Sequence, residues 1–197
     1  MEPNQTRTKG AAPGQKVDVT TWSSHVLHEP YPPRVGTSYT RFGESGFWTR
    51  DAPLEALLAL VVLELEPSVH GDPRLEQVLD EWTRQAVVGF MGCVSPQLDE
   101  LMADRPDVLE AVLAALETVL HELSDHDVVE VDRSRLAARA DRVCQGAPWQ
   151  APLASIEWLR NTGTALRDLL AGELPALSGE SWAVNGSGRH TRPQIAP

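Results

Sequence analysis

The chain has 197 residues, with 28 Asp and Glu against 17 Lys and Arg and a formal net charge of −11 at pH 7. That length suits one domain with its own core, and the shortage of clustered Lys and Arg excludes nucleic acid as the expected partner, since phosphate binding needs such clusters. Two cysteines, Cys93 and Cys144, are too few for a disulfide framework, no secretory leader opens the chain, and the longest apolar run is too short for a membrane span. The expectation is a cytoplasmic protein with reduced thiols and no membrane partner.

The ends read differently from the middle. Residues 1–16 and 172–197 are rich in Gly, Pro, Ser and Thr without apolar periodicity, and are expected as disordered tails. Residues 17–171 read as one α-helical domain that includes an N-terminal arm, 17–50. Within 51–171 there are 22 Asp and Glu against 9 Arg, so the acidity belongs to the helical body. The only lysines are Lys9 and Lys16, in a chain rich in Ala, Gly and Pro. Arg in place of Lys therefore reads as the coding bias of a GC-rich bacterial genome.

In the arm, Val17, Val19 and Thr21 alternate with polar residues, as in a short strand. Pro30, Pro32 and Pro33 then enforce an extended path, with Trp22 and Tyr31 as anchors on the body, and there is room for a small edge hairpin. From Leu54 to Leu65 only Glu55 and Glu64 are not apolar. A helix apolar on nearly every side has no face to offer water, so it is expected at the centre of a bundle. Asp51 reads as its cap, Pro53 fits its first turn, and Glu66-Pro67 ends it.

Further helices follow by the same punctuation. Asp72-Pro73 opens one with an apolar stripe of Leu75, Val78, Leu79, Trp82 and Ala86. Ser95-Pro96 opens a short one, with Leu98, Leu101 and Met102 inward. Asp104 to Pro106 opens an amphipathic helix: Leu109, Val112, Leu113, Leu116, Leu120 and Leu123 line one side, and Glu110, Glu117, His121 and Glu122 the other. Residues 128–131 form a β-like connector. Asp132 caps a modest helix bearing Leu136, Ala140, Val143 and Cys144. The last helix runs from Pro152 to Ala171 on Leu153, Ile156, Leu159, Leu166 and Leu170, flanked by Trp158 and Leu169. The sum is a mainly α fold: an irregular single-domain bundle of five to six helices around a central apolar helix, with a partly extended N-terminal arm.

No P-loop, GxGxxG, GxSxG or CxxC occurs, so no cofactor is expected. Cys93, two residues before a helix start and beside Gly89 and Gly92, has the setting of a helix-activated thiol, although a buried structural cysteine is the expected outcome. His121, Asp125, His126 and Asp127, and separately His25, His28 and Glu29, lack the spacing of a strong metal motif, and no metal site is assigned. The pairs Asp80-Glu81, Asp99-Glu100 and Glu64/Glu66 suit solvated helix faces better than carboxylate catalysis.

The stretch Tyr39 to Arg50 interleaves aromatic residues, arginines and glycines, the types that dominate interface hot spots. Phe47 and Trp48 are expected to staple the central helix to its bundle. Tyr39, Arg41, Glu44, Trp48 and Arg50, together with Cys93, Asp99 and Glu100, are the candidate partner- or ligand-binding residues. Two functions follow from different classes. One is a non-enzymatic, acidic interaction module that binds a protein partner, with a basic one favoured by charge. In size, acidity and lack of catalytic motifs the chain is similar in kind to immunity proteins of bacterial toxin systems, which implies occlusion of a toxin's cleft by complementary charge and shape. The alternative is a small enzyme or ligand-binding protein with a pocket of Trp48, Trp82, Phe90, Arg50 and Cys93.

Overall fold

The structure, a computed structural model, describes residues 17–18, 36–69, 71–88, 93–125, 130–131, 133–145, 152, 154–174, 180–184 and 192–195. Expectations placed on residues 1–16, on Trp22, His25, His28, Glu29 and Tyr31, on Gly89, Phe90 and Gly92, on His126 and Asp127, and on Asp132 and Leu153 fall outside the described residues.

The apolar run forms helix α1, Asp51–Leu65, in which every residue except Ala52 and Glu64 is buried. Leu54, Leu57, Leu58, Val61 and Val62 are fully enclosed. Each such side chain stabilises the fold by about 1.5–3 kcal/mol relative to exposure. Around α1 lie α2 (Pro73–Val88), α4 (Pro106–Asp125) and α6 (Ile156–Leu170), with α5 (Arg133–Cys144) packed mainly on α2 and touching α1 at its C-terminal end. The five-residue α3 (Leu98–Met102) packs mainly against α2, α4 and the sheet rather than on the hub. The chain is thus a mainly α single domain built around one apolar helix. No described helix is long and apolar enough to cross a membrane.

Several helix starts differ from their sequence signals. Arg50, not Asp51, is the cap residue of α1. Asp51 is the first helical residue, buried, and its carboxylate accepts a 2.7 Å hydrogen bond from the Ser38 hydroxyl. A partner from another element has taken the role that a local cap would have filled. Ser95-Pro96 does not start α3, because Pro96 CO is claimed by the Trp82 indole N–H and the chain turns at a left-handed Gln97 before helix begins at Leu98. The last helix starts at Ile156 under a Ser155 cap, its hydroxyl accepting from Trp158 N–H. Asp72 does cap α2, through Arg74 N–H at 2.8 Å. In α4 the fully buried face is Val108, Val112, Ala115, Leu116, Val119 and Leu123, while Leu109, Leu113 and Leu120 are only half-buried.

The sheet was not expected in this form. Strands β2 (Thr37–Phe42) and β3 (Ser45–Arg50) form an antiparallel hairpin. β3 also pairs in parallel with β5 (Glu180–Ala183), which pairs with β6 (Arg192–Ile195), giving the order β2-β3-β5-β6. Residues 172–197, expected as a structureless tail, therefore contribute two strands and the buried Val184, whose N–H donates to Trp48 CO at 2.8 Å. These strands are four residues each, too short to show periodicity, and their pairing is non-local. A separate two-residue pair joins β1 (Val17–Asp18) to β4 (Glu130–Val131). This ties the start of the arm to the expected β-like connector.

α5 is held by ions as much as by apolar contact. Its buried face is Leu136, Ala140 and Arg139. The Arg139 guanidinium, 4% exposed, meets Asp80 at 2.8 Å, Glu76 at 3.1 Å and Glu66 at 3.3 Å. Arg135 adds Glu66 at 2.6 Å and donates to Leu63 CO at 2.8 Å, closing the C-terminal turn of α1 where no basic residue of its own is present. Burial pushes the Glu66 carboxyl up, but hydrogen bonds from Arg135 and Arg139 and their charges more than offset it and hold the group below its ordinary value.

Candidate functional site

Strand alternation sorts the hairpin residues onto two faces. Ser38 and Thr40 on β2, and Phe47 and Thr49 on β3, point into the body and are buried. Phe47 joins the hydrophobic core, and Thr49 meets the Thr162 hydroxyl of α6 at 3.2 Å. The Thr40 hydroxyl, 1% exposed, has no hydrogen-bond partner among the described residues. Thr37, Tyr39, Arg41, Trp48 and Arg50 take the outward face. Phe47 and Trp48 therefore cannot act together as a staple, because neighbours in a strand face opposite ways.

The centre of the outward face is an aromatic pair. Tyr39 and Trp48 are register partners, with ring centroids 5.2 Å apart and planes at 43°. Gly46 makes this possible: a Cβ there would lie 2.6 Å from the Tyr39 hydroxyl and 2.7 Å from its ring. The phenol lies flat across a strand position that only glycine leaves open. Among the described residues Tyr39 is the one large apolar side chain left exposed, at 38%.

Arginines stand at both ends of the pair, in different states. Arg41 lies 3.3 Å from the Asp99 carboxylate on α3, which also accepts from Gly43 N–H at 2.7 Å. At the other end the Arg50 guanidinium lies over the Trp158 ring of α6, 4.4 Å from its centre. In the sequence Trp158 only flanks the apolar stripe of its helix. Nothing local links it to Arg50, and the one signal available was a half-apolar tryptophan just after a capping serine.

The strap from Cys93 to Gln97 fixes the hairpin to α2. Val94 N–H donates to Ser38 Oγ at 2.8 Å, and that hydroxyl in turn donates a hydrogen bond to Asp51. Ser95 N–H donates to Gln85, Gln97 to Glu81, and Trp82 to Pro96 CO at 2.9 Å. The strap is thus bonded to the inward face of β2 at Ser38 and to α2 at Glu81, Trp82 and Gln85.

Of the residues expected to bind, Tyr39, Arg41, Trp48 and Arg50 share one face, and Asp99 is fastened to it. Glu44 lies exposed in the hairpin turn and Glu100 exposed on α3. Cys93 is exposed rather than buried, because the strap is anchored from Val94 onward. Of the residues named for the alternative pocket, Phe90 lies outside the described residues, Trp82 is enclosed in the core, Trp48 faces out on Tyr39, and Arg50 turns to Trp158. His121 pairs with Asp125 at 3.2 Å, and no three His, Cys, Asp or Glu among the described residues are arranged to hold a metal.

Comparison with protein-family models, with curated proteins and with solved structures finds no match to this chain.

Proposed function

We propose that the protein is a non-enzymatic interaction module that binds a protein partner through the outward face of the β2–β3 hairpin. The observation that carries this reading is Tyr39, exposed yet held flat over Gly46 and against Trp48. A rigid aromatic pair flanked by arginines has the composition of an interface hot spot, and its low conformational freedom reduces the entropy lost on binding. The strap and the Arg41–Asp99 pair support the same reading, because they fix the hairpin before any partner arrives.

The overall field supports a partner of opposite net charge. Helix α4 carries Asp107, Glu110, Glu117, Glu122 and Asp125, all exposed, and neither Lys nor Arg. Such a ridge accelerates encounter with a basic protein. An immunity or antitoxin role in the cytoplasm, blocking a basic toxin cleft, is the specific form of this reading. Co-purification from the native host with tagged wild type and with the Tyr39→Ala/Trp48→Ala double variant tests it. One captured protein, lost with the double variant and released by salt, is expected. Capture that ignores the double variant would end the reading.

A further inference from the structure

Most described arginines have a hydrogen-bonding partner within the protein, Arg105 and Arg160 among them on Gln77 and on main-chain carbonyls. Arg41, Arg74, Arg84, Arg135, Arg139 and Arg167 each reach a carboxylate of the protein itself. The Arg50 guanidinium makes no hydrogen bond or ion pair among the described residues, although it is exposed and acidic side chains outnumber basic ones. Arg142, exposed near the end of α5, shares that lack, but no ring holds it. The Trp158 ring holds the Arg50 guanidinium in place, 4.4 Å from its centre, and no described acceptor takes its N–H donors, the groups that grip a carboxylate with two parallel hydrogen bonds.

We propose that the outward hairpin face takes an extended, acidic segment of the partner protein, with a carboxylate on Arg50 and an apolar side chain over Tyr39 and Trp48. This deepens the interaction-module reading and rests on it. Arg50 and Trp48 are two residues apart on one strand, so their backbone positions lie about 7 Å apart. An extended ligand meets both with side chains at positions i and i+2, which also share a face. At the other end Asp99 already neutralises Arg41, so among the described side chains of this face the unmatched positive charge is that of Arg50. Net charge governs approach and local side chains govern fit, so an acidic contact segment is compatible with a partner that is basic as a whole.

The test is selection from a randomised library of short displayed peptides, using the full chain and its Arg50→Gln, Arg50→Lys and Tyr39→Ala variants. Arg50 and Tyr39 are exposed, and thermal melting checks that each variant stays folded. Wild type should enrich peptides with Asp or Glu two positions from a large apolar residue. Arg50→Gln should weaken them about tenfold or more, as expected for loss of a charge-assisted hydrogen bond. Arg50→Lys should weaken them too, since an ammonium lacks the planar fork. Enrichment of neutral or basic peptides, or acidic peptides indifferent to Arg50→Gln, would overturn the acidic segment. If those peptides still lost binding with Tyr39→Ala, the interaction module would survive. Failure to enrich any peptide would overturn the acidic segment, and the native-host capture would then decide the module separately.

Discussion

The Asp99 carboxylate holds two points of the hairpin at once: the Arg41 guanidinium at 3.3 Å and the Gly43 N–H at 2.7 Å. One side chain of α3 thereby fixes both the turn and an adjacent position of the edge strand. With Ser38 bonded to Asp51 and to Val94 N–H, the hairpin is anchored at its tip and at its base. The aromatic pair between those anchors is therefore presented on a rigid platform.

Gly46 sets the position of that pair. Gly46→Ala would place a methyl group 2.6 Å from both the Tyr39 hydroxyl and Thr40 CO. The ring must lift, at a cost of about 1–3 kcal/mol, as for overpacking elsewhere. Thermal melting should show the loss, and near-UV circular dichroism should show that the Tyr39–Trp48 coupling is gone. An unchanged aromatic spectrum would contradict the packing described.

Thr49 and Thr162 offer a clean thermodynamic cycle. Either Thr→Val change leaves one buried hydroxyl facing a methyl group, costing about 1–3 kcal/mol, whereas the double Val variant removes both polar groups and should recover much of the loss. Strictly additive single effects in urea titration would mean that the hydroxyls do not interact.

The Glu66–Arg139 cluster predicts where acid acts first. The Glu66 carboxyl is held below its ordinary value of 4.5, so its contribution to stability is complete above about pH 4.5 and is lost as pH falls through the folded-state value. Hydrogen exchange measured on descending through that window should show α5 losing protection before α1. Glu66→Gln should flatten this limb. Arg139→Ala leaves Glu66, Glu76 and Asp80 close together without their central cation, and should cost about 2–3 kcal/mol at neutral pH, below the value for a fully buried pair because the carboxylates are partly solvated.

The two thiols should react unequally. Cys93 is exposed, whereas Cys144 is half-buried and burial pushes its thiol up, reducing the thiolate available for attack. Mass spectrometry after brief alkylation at pH 7.5 (about one unit below a free thiol's value) should find Cys93 modified first. Equal rates would contradict the described environments.

At the hub, Leu58 and Val61 are fully enclosed, and Leu58→Glu or Val61→Glu buries a charge among apolar side chains. The penalty of several kcal/mol is comparable to a total stability of about 5–15 kcal/mol, so these variants should be unfolded by far-UV circular dichroism. A parental melt would remove α1 from the centre of the fold.

The helical body was legible in the sequence because its signals are local. The run from Leu54 to Leu65 has no polar face, and Pro67, Pro73 and Pro106 punctuate the elements around it. The hairpin was legible only as room for one in the arm, since its buried face is Ser38, Thr40, Phe47 and Thr49, and three polar residues among four erase the alternation that marks a half-buried strand. Their burial is tolerated chiefly through partners on other elements: Asp51 and Val94 for Ser38, Thr162 for Thr49. For the same reason composition could nominate Tyr39, Arg41, Trp48 and Arg50, but not which arginine would be matched. That depends on Asp99 and Trp158, which only the tertiary fold brings close.

The parallel pairing of Phe47 with Trp182 and of Trp48 with Ala183 has a kinetic consequence. All six described helices lie in the segment between those strands, so the pairing closes a loop spanning most of the domain. Closing it before the helices pack costs chain entropy that two register pairs cannot offset; once the bundle has formed, the ends of the loop are already held close. The last event of folding should therefore be the arrival of β5 beside β3, and the face that carries Tyr39 and Trp48 should be completed only when the C-terminal strands have left the end of the chain and joined its beginning.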